Sequence, residues 1–295
     1  MMRDATPAGE MKRREWLLAS GAGAAGLALS GAATAAPLRE RDPRAPVRAP
    51  PFPPGLQLYT VRSLLSADVP GTLREVAAIG YRVVELAGLH GLDAGAFRRH
   101  LDDAGLAAPS GHVPIDDLRS RADRVLAEAA SLGHRTVVVP WLEPSERTPD
   151  GYRRVADDLN AAGRRAREHG VRVAHHNQGY DLERFDGVCG WDLLLERTEP
   201  ELVTMQMDVF WAVSGGADPR AYLLAHPGRF TSLHAKDRTP SGDMVAVGEG
   251  AIDFATILAE AGEGGVEHVF VEHDEPRDPI ASIRASYETL AVLEI

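Results

Sequence analysis

One phrase recurs along this chain and limits its fold more than any other feature: an amphipathic stretch, a glycine, then a short β-rich run. Ile79-Gly80-Tyr81, Ala104-Gly105-Leu106, Leu132-Gly133-His134 and His169-Gly170-Val171 each place a glycine where a helix can stop in the left-handed conformation. The runs that read as strands are residues 55–59, 82–86, 107–112, 136–140, 171–176, 204–208, 230–234 and 268–272. Helical periodicity falls between them, at 70–79, 94–104, 117–132, 149–169, 219–226, 254–261 and 279–293. Alternating β and α elements in this number, with short connections, predict an α/β chain folded as a single-domain (β/α)8 TIM barrel. An open doubly wound sheet is the competing architecture. It wants a glycine-rich loop after its first strand, and Tyr59-Thr60-Val61-Arg62 stands there instead.

Length agrees with one barrel. The chain has 295 residues, and about 250 is typical of the fold. Its hydrophobic share of 44% and charged share of 25% give material for both a core and a soluble surface. The formal charge of −11 is the wrong sign for a phosphate-backbone binder, so nucleic acid is not an expected partner. Cys189 is the only cysteine, which excludes an internal disulfide and a thiolate metal cluster.

The N-terminus reads as an address. Arg13-Arg14 precede Glu15-Trp16-Leu17-Leu18 and a stretch free of charge as far as Pro37, the pattern of a twin-arginine (Tat) signal peptide over residues 1–35. Ala33-Thr34-Ala35 supplies the small residues a signal peptidase reads, so cleavage near Ala36 is expected, with an uncleaved anchor as the alternative. Residues 36–54 are rich in Pro and Arg and read as an extended linker, leaving 55–295 for the barrel. The expected location is periplasmic or otherwise exported, with no membrane contact once the signal is removed.

Chemistry in such a barrel sits where strands end and βα loops begin. Side chains alternate along a strand between the barrel interior and the helix layer. Val171 and Val173 suit the helix side and leave His176 inward. Met205 and Met207 do the same for Asp208, and Val269 and Val271 for Glu272. His176, Asp208, His234 and Glu272 then converge on one rim from four consecutive strands. Two imidazoles and two carboxylates form a suitable ligand set for one divalent metal ion, Mn²⁺, Co²⁺, Fe²⁺ or Zn²⁺.

Gly55-Leu-Gln-Leu-Tyr-Thr-Val-Arg62, Tyr81-Arg-Val-Val-Glu85, His175-His-Asn-Gln178, Met207-Asp-Val-Phe-Trp211, His234-Ala-Lys-Asp237, Val247-Gly-Glu-Gly250 and Val271-Glu-His-Asp274 resemble the xylose isomerase-like superfamily. More narrowly, they resemble its exported sugar phosphate isomerase/epimerase branch. The resemblance implies a (β/α)8 barrel with one divalent metal, and its ligand positions fall on His176, Asp208, His234 and Glu272. Two departures bear on chemistry. The superfamily's epimerases carry a glutamate where this chain has His176, and its endonuclease-like members carry a histidine where this chain has Trp211.

Glu272, Glu85 and His112 are the candidate acid and base groups, Glu85 having the alternative of pairing with Lys236 or an arginine across the rim. Lys236 and Asp237 are candidates for substrate oxygens or for pairing with each other. Tyr59, Trp141, Phe210 and Trp211 offer aromatic faces for the C–H surface of a sugar ring, or cap the barrel core. Residues 247–250 read as a flexible loop that either closes over substrate or only connects. The expected activity is a metal-dependent sugar isomerase or epimerase acting on a small hydroxy-carbonyl substrate. A keto-sugar lyase or hydratase, or a non-catalytic periplasmic sugar-binding barrel, is the alternative.

Overall fold

Thr136–Val139, the sequence Thr-Val-Val-Val, is buried at every position. A strand covered by helices on one face and barrel interior on the other has no wet side, so it reads as a continuous apolar run. Eight such strands close into a parallel barrel in the computed structural model, which describes residues 52–295. They are Pro54–Gln57, Val83–Leu86, Ala107–His112, Thr136–Val139, Arg172–His176, Val203–Asp208, Phe230–Ala235 and His268–Val271. Each pairs with its neighbour in sequence, and the last closes on the first through Pro54 with Val269 and Leu56 with Val271. The leader expected at 1–35, and the linker as far as residue 51, lie outside the described residues.

Helices fill the connections where the sequence supplies starts and stops. Asp68, Asp93, Thr148 and Asp278 each accept a hydrogen bond from a backbone amide of the first helical turn. Gly105 and Gly133 stop their helices with φ of 66° and 88°, a conformation that costs an L side chain strain and glycine none. Among the described residues four helices escaped the periodic reading: Arg62–Ala67, Gly190–Arg197, Val209–Ser214 and Ala261–Gly264. Each is eight residues or shorter, so little period is available to read. The first strand ends at Gln57, and Leu58–Val61 turns as a 3₁₀ segment that carries Tyr59 onto the rim.

The apolar core lies between barrel and helices, with Tyr81, Phe97, Tyr152 and Trp191 among its fully buried side chains. Burying each contributes roughly 1.5–3 kcal/mol. The barrel interior is different, because Gln57, Glu85, Gln206 and His234 meet there at zero exposure.

Residues 247–252 are not free to act as a lid. Asp237 is buried and spends both carboxylate oxygens on backbone amides, Oδ2 accepting from Gly248 at 2.9 Å and Gly250 at 3.0 Å. Its Oδ1 accepts from Arg238 at 2.7 Å and Ile252 at 3.2 Å. A side chain at Gly250 would collide with that carboxylate. The expectation of a flexible loop is therefore corrected, as is that of an Asp237 pair with Lys236. Among the described residues no helix is long and apolar enough to cross a membrane.

Candidate metal centre and its cavity

Asp208 closes the sixth strand and begins the helix Val209–Ser214, so one carboxylate serves two ends. Its Oδ1 caps the helix by accepting from the Trp211 amide at 3.0 Å. Its Oδ2 is left to the barrel interior, where His176 Nε2 stands at 3.3 Å. The neighbouring strands add His234 and Glu272, and all four buried residues offer a ligand atom within 4.8 Å of one another. The period-two reading of the strands thus selects side chains that meet in space.

The pair His234 Nδ1 and Glu272 Oε2 tests whether this group fits an ion. The atoms lie 2.7 Å apart, yet both are buried and neither makes a well-directed hydrogen bond. Two polar atoms that face one another without hydrogen-bond geometry have the arrangement of ligands directed at a shared cation. The group can hold a divalent metal ion.

Charge in the metal-free protein is arranged around the same atoms. Burial pulls His234 down, but Glu272 and Glu85 on either side of its ring raise it to about 10. Burial, with the nearby charges of His234 and Lys236, holds His176 down at about 4 against the pull of Asp208, so its imidazole is neutral and ready to ligate near pH 7. Burial would raise Glu272, but Lys236 and His234 keep it ionised. Lys236 is buried, and its Nζ lies 3.0 Å from Asp208, 2.9 Å from Glu272 and 2.8 Å from Asp274.

Glu85 lies inside the barrel rather than on its rim. Oε1 accepts from Gln57 at 2.7 Å and faces His234 Nε2 at 2.6 Å and His112 Nε2 at 3.1 Å. Oε2 accepts from Ser110 at 2.6 Å and Gln206 at 2.8 Å. Burial pushes this carboxyl upward, yet the charge and hydrogen bonds of His112 and His234 hold it well below its ordinary value. With zero exposure and both oxygens occupied, Glu85 does not reach the cavity, and the expectation that it acts as a base on substrate is corrected. The alternative pairing with Lys236 or an arginine is corrected too, since its partners are histidines and amides. Glu85, His112 and His234 also lie close enough to suggest a second ion site. Hydrogen bonds already account for their contacts.

His112 Nε2 lies 3.1 Å from Glu85 Oε1, 3.2 Å from Gln206 Oε1 and 3.2 Å from the Gln57 amide nitrogen, and because that amide already donates to Glu85, we assign the hydrogen on this nitrogen to the two acceptors. Nδ1 then keeps a lone pair, and the His112 ring lines the cavity.

That cavity, of about 900 Å³, opens above the metal group and is lined by His112, His176, Lys236 and Glu272. Tyr59 and Trp141 stand at its mouth, 40% and 43% exposed, their outer faces covered by Arg62 and Arg147. Trp211 does not line it. Its indole packs on Phe210 and over Gly179, so the structure does not bring Trp211 to a substrate. Phe210 is buried in the same packing. Gln178, Asp274 and Glu275 line the wall and were not anticipated. All three follow the last residue of a strand, where the alternating period no longer tells which way a side chain points.

Residues 73–293 match the family described as the Xylose isomerase-like TIM barrel. The chain belongs to that family. An inosose dehydratase of Geobacillus kaustophilus (strain HTA426) is 26% identical over 250 residues, 67% of this chain and 80% of that one. A second, from Clostridium tetani (strain Massachusetts / E88), is 28% identical over 152 residues, 44% of this chain, which spans 50% of that relative's length. A solved sugar phosphate isomerase/epimerase from Parabacteroides distasonis ATCC 8503 superposes with a TM-score of 0.71 at 27% identity, covering 79% of this chain and 95% of that one.

Proposed function

We propose that this family member is a sugar-modifying enzyme that removes the proton α to the carbonyl of a small polyhydroxy ketone, with one divalent ion held by His176, Asp208, His234 and Glu272. The observation that carries the reading is the pair of buried atoms His234 Nδ1 and Glu272 Oε2, facing one another without a directed hydrogen bond. An ion held by these four residues would supply Lewis-acid polarisation of the ketone and its neighbouring hydroxyl. His112 takes the proton at Nδ1, because Glu85 and Gln206 fix the hydrogen on Nε2. The Lys236 ammonium balances negative charge that grows on the carbonyl oxygen. Tyr59 and Trp141 offer apolar faces to the C–H side of the substrate.

Return of the proton to carbon gives isomerisation or epimerisation. Loss of the hydroxyl on the β carbon as water, taking up the proton that His112 removed, gives dehydration, a second reading supported by the inosose dehydratase relatives and by His176. A metal-bound imidazole has its lone pair committed, so a shuttle between carboxylates on both substrate faces is not available from this ligand set.

The test is solvent deuterium exchange into a panel of keto-sugars and keto-cyclitols, with Mn²⁺ added. Wild-type protein should bind about one ion per chain and exchange the α proton. His234→Ala and Asp208→Ala should lose most of the metal. His112→Ala should keep the metal and slow exchange by about 10²-fold or more. Full exchange in His112→Ala would remove His112 from the base role, and full metal occupancy in both ligand variants would remove the metal centre. We propose also that residues 1–35 direct export by the twin-arginine route, on the strength of Arg13-Arg14 and the uncharged stretch after them.

A further inference from the structure

Asp208 has one oxygen to give an ion. Oδ1 is held by the Trp211 amide at 3.0 Å, so only Oδ2 is free to turn to a metal, and Lys236 Nζ sits 3.0 Å from it. The same ammonium lies 2.9 Å from Glu272 Oε2, the atom that faces His234 Nδ1. Its third partner, Asp274 at 2.8 Å, belongs to no ligand group and lines the cavity wall with a side chain 30% exposed. An ammonium carries three hydrogens, and here three carboxylates lie within ion-pair distance of it. We propose that Lys236 is the exchangeable cation of the metal-free site, and that a divalent ion displaces it from Asp208 and Glu272 onto Asp274, where it faces substrate oxygens. The proposal rests on the metal reading above and adds an exchange of cations to it.

The physical case has two sides. Buried carboxylates without a countercharge carry a large desolvation cost, so a site that must fold before it meets metal needs a cation of its own. A lysine is suited to this, being a point charge on a flexible four-carbon stem that can leave without unfolding anything. The second side is competition. An ammonium and a divalent ion claiming the same two oxygens repel strongly in a buried site, so the lysine that keeps the metal-free site assembled also weakens its hold on the metal. Asp274 relieves that repulsion by offering the lysine another seat. Lys236 follows the seventh strand directly, and Asp274 follows the eighth by three residues, so both stand on the rim that carries the ligands.

The experiment measures the affinity of the purified mature chain for Mn²⁺ alone by competition with a chelator, together with thermal unfolding of the metal-free form. Lys236→Met keeps the length of the side chain and removes its charge. It should bind Mn²⁺ about tenfold more tightly or better, while its metal-free form melts at a lower temperature that added Mn²⁺ restores. Asp274→Asn takes away the alternative seat and should weaken Mn²⁺ binding in the wild-type background. In the Lys236→Met background the same substitution should change little, because no ammonium is left to move. Unchanged or weaker binding in Lys236→Met overturns the exchange. An equal loss from Asp274→Asn in both backgrounds also overturns it, because that is the loss of a nearby negative charge and nothing more. If Lys236→Met does not fold, Lys236→Gln takes its place in the same comparison, and Asp274→Asn must still weaken binding in the wild-type background and not in the Lys236→Gln one. Should the wild-type chain bind no ion, the metal reading itself fails. Wild-type binding with no gain in Lys236→Met sinks only the exchange.

Discussion

At the scale of single residues the centre is organised around Glu85, which does not line the cavity but backs His234 of the ion group. One of its oxygens faces both His234, whose opposite nitrogen is turned to Glu272, and His112, whose opposite nitrogen is the proposed base. The same carboxylate therefore sets the tautomer of both rings. Glu85→Gln should weaken metal binding by about 10–100-fold, the range found when the group behind a ligating histidine is removed, and should lower turnover as well. A chelator titration with circular dichroism as a check on folding measures it. Unaltered metal affinity would show that Glu85 does not hold His234. In the sequence Glu85 was visible as a polar strand end, and that signal does not distinguish a group aimed at substrate from one aimed at its neighbours. Its five partners come from four other strands, a convergence that no local pattern encodes.

At the scale of elements, the strands carried the legible part of the site. His176, Asp208, His234 and Glu272 were selected by alternation along their strands, and they meet. Alternation works because a strand end still obeys the pleat, whereas residues past the end follow loop geometry. Trp211 and Asp274 mark that limit. The first lies on the short helix Val209–Ser214 and turns away from the cavity, and the second follows the eighth strand and turns toward it. The flexibility read into residues 247–250 was misjudged for a related reason, and the alternative of a plain connection stands. The glycines there suggest freedom, but the carboxylate that fixes them comes from Asp237, about ten residues earlier in the chain. Asp237→Ala should release four amides at once and make 247–252 an early cleavage point in limited proteolysis, with the barrel otherwise intact. Resistance equal to wild type would mean that packing, not this carboxylate, holds the segment.

At the scale of the whole molecule, the eight-strand barrel was legible because its rhythm repeats, while the short helices and the two small hairpins at 184–189 and 237–245 interrupt that rhythm only locally. Stability should fall on the acid side. Burial holds His134 below its ordinary 6.5 despite its hydrogen bond with the Ala108 carbonyl. For a group depressed in the fold, stability is complete above about 6.5 and is lost as pH falls through the folded value, because the unfolded chain takes up its proton first. His268 and His273 are depressed by burial in the same direction. Denaturant midpoints of the metal-loaded protein should therefore fall as the pH drops below about 6.5, the reference histidine value. A flat profile there would contradict the burial of these rings. Export belongs to this scale as well, and replacing Arg13 and Arg14 by lysine should leave precursor in the cytoplasm, which fractionation and blotting will show. The clamp at Asp237 has a kinetic consequence. With residues 247–252 tied down, that segment cannot serve as a gate, and capture of substrate does not wait for it to close. Added viscogen should then slow capture of substrate at low concentration and leave turnover at saturation unchanged, so small competitive inhibitors should bind in a single fast phase.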